Sequence, residues 1–243
     1  IDQTIFGVQY PSQKVLASTW DIDLVKEYGA RLGYETKSSG GELAIAPSLN
    51  MYRTPFGGRS SQYICGEDSF QCSYYAPAMV NGIQSQGILT SISHFIMNDQ
   101  EANRKSVNIE VDDTTMREDY FLPFESAVKN SDPTSIMCAF TYVNGSIACE
   151  SNYLITQVLK NDWGFKGFVA SDYQTLTDAE RGMIAGTDLD MGTGSIYTPD
   201  NISKLLSEKK ITEEQIDDSV FRILRSVIKM NTIENTVPEL NKS

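Results

Sequence analysis

An α/β fold with a parallel sheet is what this sequence predicts, and three observations carry the prediction. Short apolar runs, too brief for helices, recur along the chain, at residues 43–46, 88–93, 135–140, 167–172 and 187–191. Between them lie segments with apolar residues at helical spacing, so strands alternate with helices. The connections are too long for hairpins, which leaves βαβ units as the repeating element. A doubly wound open sheet would show a Gly-rich phosphate turn after its first strand, and none is present. The expected architecture is therefore a (β/α) barrel of the TIM type. With about six or seven strands it falls short of the eight that typically occupy ~250 residues, so the barrel is expected to be incomplete.

Each element has a local reason. Residues 5–8 read as a short first strand. Asp21 or Asp23 caps a helix through about Leu32, with Leu24, Val25 and Tyr28 on its apolar face. Residues 43–46 form a buried strand that Pro47 breaks. Residues 50–68 show no element, and long loops inside compact domains usually serve function; Arg59 lies in this one. A helix spans about 70–84, with Pro77 either kinking it or marking its true start. The strand at 88–93 ends on His94, and the polar loop 98–108 carries Asp99, Glu101 and Arg104. Asp112 or Asp113 caps a helix to about Val128, interrupted at Pro123. After the strand 135–140, Asn144-Gly145 makes a turn and a helix covers 151–160. The strand 167–172 ends on Asp172 and a helix follows at 178–185. Residues 187–191 read as another strand, Thr198-Pro199 opens a short helix, and Ile216, Val220, Ile223, Leu224 and Val227 mark the last one. Residues 1–230 are read as the barrel domain and 231–243 as a polar tail.

Composition narrows the function. The chain of 243 residues carries a net charge of −12, which argues against nucleic acid and anionic membranes as partners, since both select basic patches. No apolar run approaches a membrane span. The first residues, Ile1-Asp2-Gln3, show no signal peptide and no initiating methionine, as expected of a processed or partial product. Cys65, Cys72, Cys138 and Cys149 have no C-x-x-C spacing and His94 is the sole histidine, so neither a structural zinc nor another cofactor is expected. Disulfides 65–72 and 138–149 and four free thiols both remain open. Sequons begin at Asn144, Asn201 and Asn241 and lean towards a secreted or vacuolar/lysosomal location.

Polar residues collect at or just past strand ends, Asn50 with the Arg59 loop, His94, Asp172, and Asp188 with Asp190, together with the strand end Met137–Phe140. In a barrel these converge on one face. Arginine, histidine and aspartate around a pocket suit a polyhydroxylated ligand, with Asp172 accepting or attacking. A Ser-His-Asp hydrolase built from Ser93 or Ser171 lacks a G-x-S-x-G elbow. Asp188 and Asp190 are read as structural residues rather than as a metal site.

The ordered set of motifs resembles glycoside hydrolase family 3, closest to its β-glucosidase-type members. The segments carrying the likeness are Gly58-Arg59; His94-Phe95-Ile96-Met97-Asn98-Asp99-Gln100-Glu101 with Arg104; Met137-Cys138-Ala139-Phe140 with Val143-Asn144-Gly145; Trp163-Gly164-Phe165 through Gly167-Phe168-Val169 to Ser171-Asp172; and Gly186-Thr187-Asp188-Leu189-Asp190-Met191 with the last helix. The resemblance covers nearly the whole chain. It implies a retaining, exo-acting hydrolase of β-linked sugars, with a β-glucoside or oligosaccharide as substrate. Asp172 would be the nucleophile that forms a covalent glycosyl-enzyme. Arg59, His94 and Arg104 would hold hydroxyls of the terminal sugar, Tyr173 would supply a stacking wall, and Met137 would pack beside the nucleophile.

Four positions depart from the family pattern. Ser93 stands where lysine is usual, Gln62 where an acid is common, Phe140 where a tyrosine hydroxyl orients the nucleophile, and Tyr173 where tryptophan is usual. The resemblance also implies that the acid/base glutamate lies on a second α/β domain downstream, and that a sugar-binding aspartate lies upstream of Ile1. That domain, or another chain, is the expected cover for the barrel. Glu67, Asp99 and Glu101 each have a loop or capping reading of their own. The alternative expectation is a catalytically impaired relative that keeps the barrel as a carbohydrate-binding or assembly scaffold.

Overall fold

The structure is a computed structural model, and it describes residues 9–53, 57–59 and 61–234. The strand expected at 5–8 and most of the polar tail lie outside the described residues. Among the described residues there are seven strands: β1 (Leu43–Ala44), β2 (Leu89–Phe95), β3 (Asn108–Ile109), β4 (Ser135–Cys138), β5 (Tyr142–Val143), β6 (Ser146–Ile147) and β7 (Phe168–Ala170). The main sheet is β1-β2-β4-β7, parallel throughout, with Ile92 opposite Ile136 and Ile136 opposite Val169. Every residue of β2, β4 and β7 is buried, as expected of parallel strands covered on both faces. The expected barrel is present as an open arc, with no closure among the described residues.

Two strand expectations need correction. Residues 187–191 pair with β7 only through a bridge between Ala170 and Leu189. The Val169 N–H donates to the Asp188 carboxylate (2.7 Å), so no backbone carbonyl of 187–191 receives it and the ladder does not propagate. A hairpin does occur: β5 and β6 pair antiparallel around Asn144-Gly145, and β3 joins them in a second small sheet. That is the turn chemistry Asn-Gly favours.

The helices are α1 (Gln13–Ala17), α2 (Ile22–Ser38), α3 (Ser69–Gln84), α4 (Asp113–Thr115), α5 (Leu122–Ser131), α6 (Ala179–Ala185), α7 (Pro199–Ser207) and α8 (Glu213–Met230). Asp21, Asp68, Asp112, Asp178, Thr198 and Thr212 cap them through side-chain oxygens that accept from backbone N–H groups. A π-wound stretch, Met116–Tyr120, joins α4 to α5, and Tyr153–Asp162 is wound the same way. Pro77 sits inside α3 and does not start it. Helices α2 and α3 meet backbone to backbone: a Cβ on Gly29 would stand 2.6 Å from the Met79 carbonyl oxygen, and one on Gly82 would stand 2.2 Å from that of Lys26. Behind β2, the Phe95, Phe121, Phe124 and Trp163 rings stack edge and face at 5.2–6.1 Å. Cys65–Cys72 and Cys138–Cys149 are both bonded, which resolves the question left open by spacing. No helix among the described residues is long and apolar enough to cross a membrane.

Candidate active site

The carboxyl ends of the parallel strands bring most of the predicted residues together. Strand β2 ends on Phe95 and so carries His94 within it. Asp172 stands two residues beyond β7, and Met137, buried in β4, pairs with Ala170. Arg59 arrives from the first long loop, and Glu101 and Arg104 from the loop after β2.

Asp172 is 8% exposed. Its Oδ1 accepts from the Tyr173 N–H at 2.6 Å, while Oδ2 is buried with no hydrogen-bond partner. Burial pushes its pKa up to about 6, against the pull of the Tyr173 N–H and of the Arg59 charge. His94 lies with Nε2 3.5 Å from Oδ2, yet the two do not form an ion pair. Burial, helped by the Arg59 charge, pushes the imidazole down to about 3, so it is neutral. Its neighbours assign the tautomer. The Arg59 guanidinium lies 3.2 Å from Nε2 and has only protons to offer, so Nε2 accepts. Nδ1–H then donates to Asn50 Oδ1 at 3.2 Å. Asn50 also accepts from the His94 N–H (2.8 Å) and donates to its carbonyl (2.9 Å), which fixes the ring from both sides. A lone pair therefore faces the open oxygen of Asp172, and Oδ2 stays unpaired.

Glu101 ties the arginines together. Its Oε1 lies 2.7 Å from Arg59 Nε and its Oε2 lies 2.8 Å from Arg104 NH1. The loops can close this far because Gly58, at φ +86°, has no Cβ; one there would stand 2.9 Å from Glu101 Cγ. The Arg104 guanidinium lies over the Phe140 ring at 4.4 Å, with the Lys105 ammonium at 5.3 Å. Asn50, His94, Arg59, Glu101, Arg104 and Phe140 thus form one connected network next to Asp172.

Other predicted residues stand apart from it. Tyr173 is 54% exposed and lies against Gly192, where a Cβ would come 2.9 Å from its ring. Ser93 Oγ pairs with Ser48 Oγ, and Ser171 Oγ accepts from the Met191 N–H, so neither contacts His94 as a serine nucleophile would. Asp188 is structural: it takes Lys160, Ser219 and the Val169 N–H in a buried cluster, while Asp190 accepts from Ile196 and Tyr197. Asp99 is pushed up to about 7 by burial, and Arg53 is the first charge acting on it. Gln62 and Glu67 are exposed. Sequence reasoning gave no role to Asn50 as an anchor for His94 or to Glu150. The apolar run before Pro47 placed Asn50 past a strand end; Glu150, after Cys149, gave no signal.

Comparison with known proteins identifies the family. The family profile described as glycosyl hydrolase family 3 N terminal domain matches residues 3–226. Thermostable β-glucosidase B of Acetivibrio thermocellus is 37% identical over 227 residues, which cover 93% of this chain and 30% of that protein. β-Glucosidase B of Emericella nidulans is 35% identical over 232 residues, 95% of this chain and 27% of that one. The structure of β-glucosidase 3B from Thermotoga neapolitana in complex with glycerol superposes with a TM-score of 0.90 at 34% identity, covering 98% of this chain and 34% of its own. The chain thus spans less than a third of these curated relatives' length. A profile match over residues 3–226, joined to relatives 37% and 35% identical across more than nine-tenths of the chain, places the chain in glycosyl hydrolase family 3, as its N-terminal domain.

Proposed function

We propose that this chain is the nucleophile-bearing barrel domain of a retaining β-glycosidase that removes terminal glucosyl residues from β-glucosides or oligosaccharides. The observation that supports it best is the state of Asp172: a buried carboxylate two residues beyond the end of β7, fixed through Oδ1 and open at Oδ2. Such an oxygen suits attack on an anomeric carbon, because it has no hydrogen bond to give up first. Arg59 and Arg104, aligned by Glu101, would direct N–H groups to the sugar hydroxyls. The neutral His94 would accept a hydrogen bond from a sugar hydroxyl on Nε2 in exchange for the Arg59 N–H it holds now, and Tyr173 would wall the sugar once it is in place. Retention requires a second carboxyl group about 5–5.5 Å from the nucleophile. Glu101 has one carboxylate oxygen against each of the Arg59 and Arg104 guanidiniums, so neither oxygen is free to face a leaving group. The acid/base is therefore assigned to a second α/β domain or another chain covering the open arc.

The test is trapping with a slow fluorinated β-glucoside in the presence of that partner domain. A covalent glucosyl adduct on Asp172, found by peptide mass and absent from Asp172→Asn, is the expected result. No adduct at any position would favour the second reading, a carbohydrate-binding scaffold, which the commitment of Glu101 to its arginines supports.

A further inference from the structure

Another carboxylate, Glu150, is hydrogen-bonded to the connection that follows Asp172. Glu150 has a side chain only 3% exposed and meets four donors. Its Oε1 accepts from the Thr177 N–H (2.7 Å), the Thr177 hydroxyl (2.9 Å) and the Asp178 N–H (3.0 Å). Its Oε2 accepts from Arg181 Nε at 2.7 Å, and Arg181 NH2 also reaches Thr177 Oγ1.

These donors sit at the far end of the connection from β7 to α6. At its near end the Asp172 carbonyl accepts from the Thr175 N–H (3.1 Å), Gln174 turns through the left-handed region at φ 56°, and Leu176 is buried at 4% exposure. One end of the connection is thus held by the sheet and the other by Glu150. The base of Glu150 is itself fixed. Cys149 is bonded to Cys138, the last residue of β4, and its carbonyl accepts from the Thr187 hydroxyl at 2.7 Å. Strand β4 lies beside β7. The brace therefore refers the nucleophile's connection back to the strand next to it.

We propose that Glu150 is a positioning residue for Asp172: by fixing residues 177–178 it sets where the Asp172 carboxylate and the Tyr173 ring stand, without touching the sugar. This rests on the reading of Asp172 as the nucleophile. A shift of about 1 Å at a reacting atom costs on the order of a hundredfold in rate. Glu150→Ala is accordingly expected to slow trapping at saturating fluorinated β-glucoside by about 10- to 100-fold, with half-saturation changed far less. Glu150→Gln keeps an acceptor for the two N–H groups and should recover most of the rate.

The pH midpoint of trapping separates positioning from a loss of folded protein. Freed from its tether, Asp172 gains access to water, so its midpoint should fall from about 6 towards the ordinary carboxylate range in the Ala variant. A smaller folded fraction would scale the rate and leave the midpoint alone. The measurement is made on the whole enzyme, partner domain included. If Glu150→Ala does not fold, Glu150→Asp, which keeps the charge but is one methylene too short to meet all four donors, is expected to show the same slowing and midpoint shift in smaller measure. Wild-type rate and midpoint in these variants would overturn the proposal while leaving Asp172 as nucleophile. No adduct in the wild type would overturn both.

Discussion

The Asp172 carboxylate sits where its charge is opposed, and Asp172→Asn removes that charge with almost no change of shape. Its pKa rises from 3.8 in an open chain to about 6 in the fold, chiefly through burial. The folded protein therefore holds the proton more tightly than the unfolded chain does. The stability this gives is complete below the unfolded pKa and is lost as pH rises through the folded one. A shift of about two units at ~1.4 kcal/mol each amounts to about 3 kcal/mol. At neutral pH the wild-type protein carries the whole penalty and the asparagine variant carries none. His94, lowered to about 3, titrates in the opposite sense, because the unfolded chain takes up that proton first as pH falls. Its contribution is common to both proteins and cancels in the difference. Urea unfolding should show Asp172→Asn more stable by about 3 kcal/mol at about pH 7, and by no more than about 0.5 kcal/mol at about pH 4. An asparagine variant no more stable than wild type at neutral pH, or stabilised equally at both, would refute the reasoning. The test needs no substrate and no partner domain.

Two further perturbations act on neighbouring charges. Lys160→Met leaves the Asp188 carboxylate, 0% exposed, without its cation and should cost about 3–5 kcal/mol in urea unfolding, part of it recovered when Asp188→Asn is added. Glu101→Gln frees the Arg59 and Arg104 guanidiniums from their shared anchor and should weaken glucose binding by about tenfold by calorimetry, the usual charged-pair value being reduced because the cluster is about a third exposed. The same change removes a negative charge that helps to raise Asp172, so the acid midpoint of trapping should move down.

What could be read from the sequence was what local physics decides. A polar residue at the close of an apolar run is visible in one dimension, so the sequence puts His94 and Asp172 within two residues of the ends of β2 and β7, one inside its strand and the other beyond it. Helix starts were equally plain, because a cap needs only a side-chain oxygen and an N–H three residues on, as at Asp112 and Thr198. The missed features depend on distant partners. Glu150 draws its meaning from Thr177 and Arg181, more than 25 residues away, and resembles any surface glutamate in a window of sequence. The strand expected at 187–191 failed for a side-chain reason: Asp188 accepts the N–H that a backbone carbonyl would have taken. Tyr173 was expected as a wall for the sugar, and whether its ring reaches one depends on how it rests on Gly192, which no local pattern encodes.

The hydrogen bonds of the site explain why the carboxylate is left uncomfortable. A histidine presenting Nε2–H would bond to Asp172 Oδ2, lower its pKa and weaken it as a nucleophile. Asn50 and Arg59 act together against that tautomer, one by accepting at Nδ1 and the other by donating at Nε2. The departure at Phe140 works in the same direction. A ring without a hydroxyl has no proton to offer, and its face is taken up by Arg104 and Lys105. An unpaired buried oxygen costs stability and gains reactivity, a trade commonly found where function needs a strained or poorly solvated group. In the proposed chemistry, Asp172 is reactive because its neighbours are satisfied by one another, and the penalty measured with Asp172→Asn is the energetic signature of that arrangement.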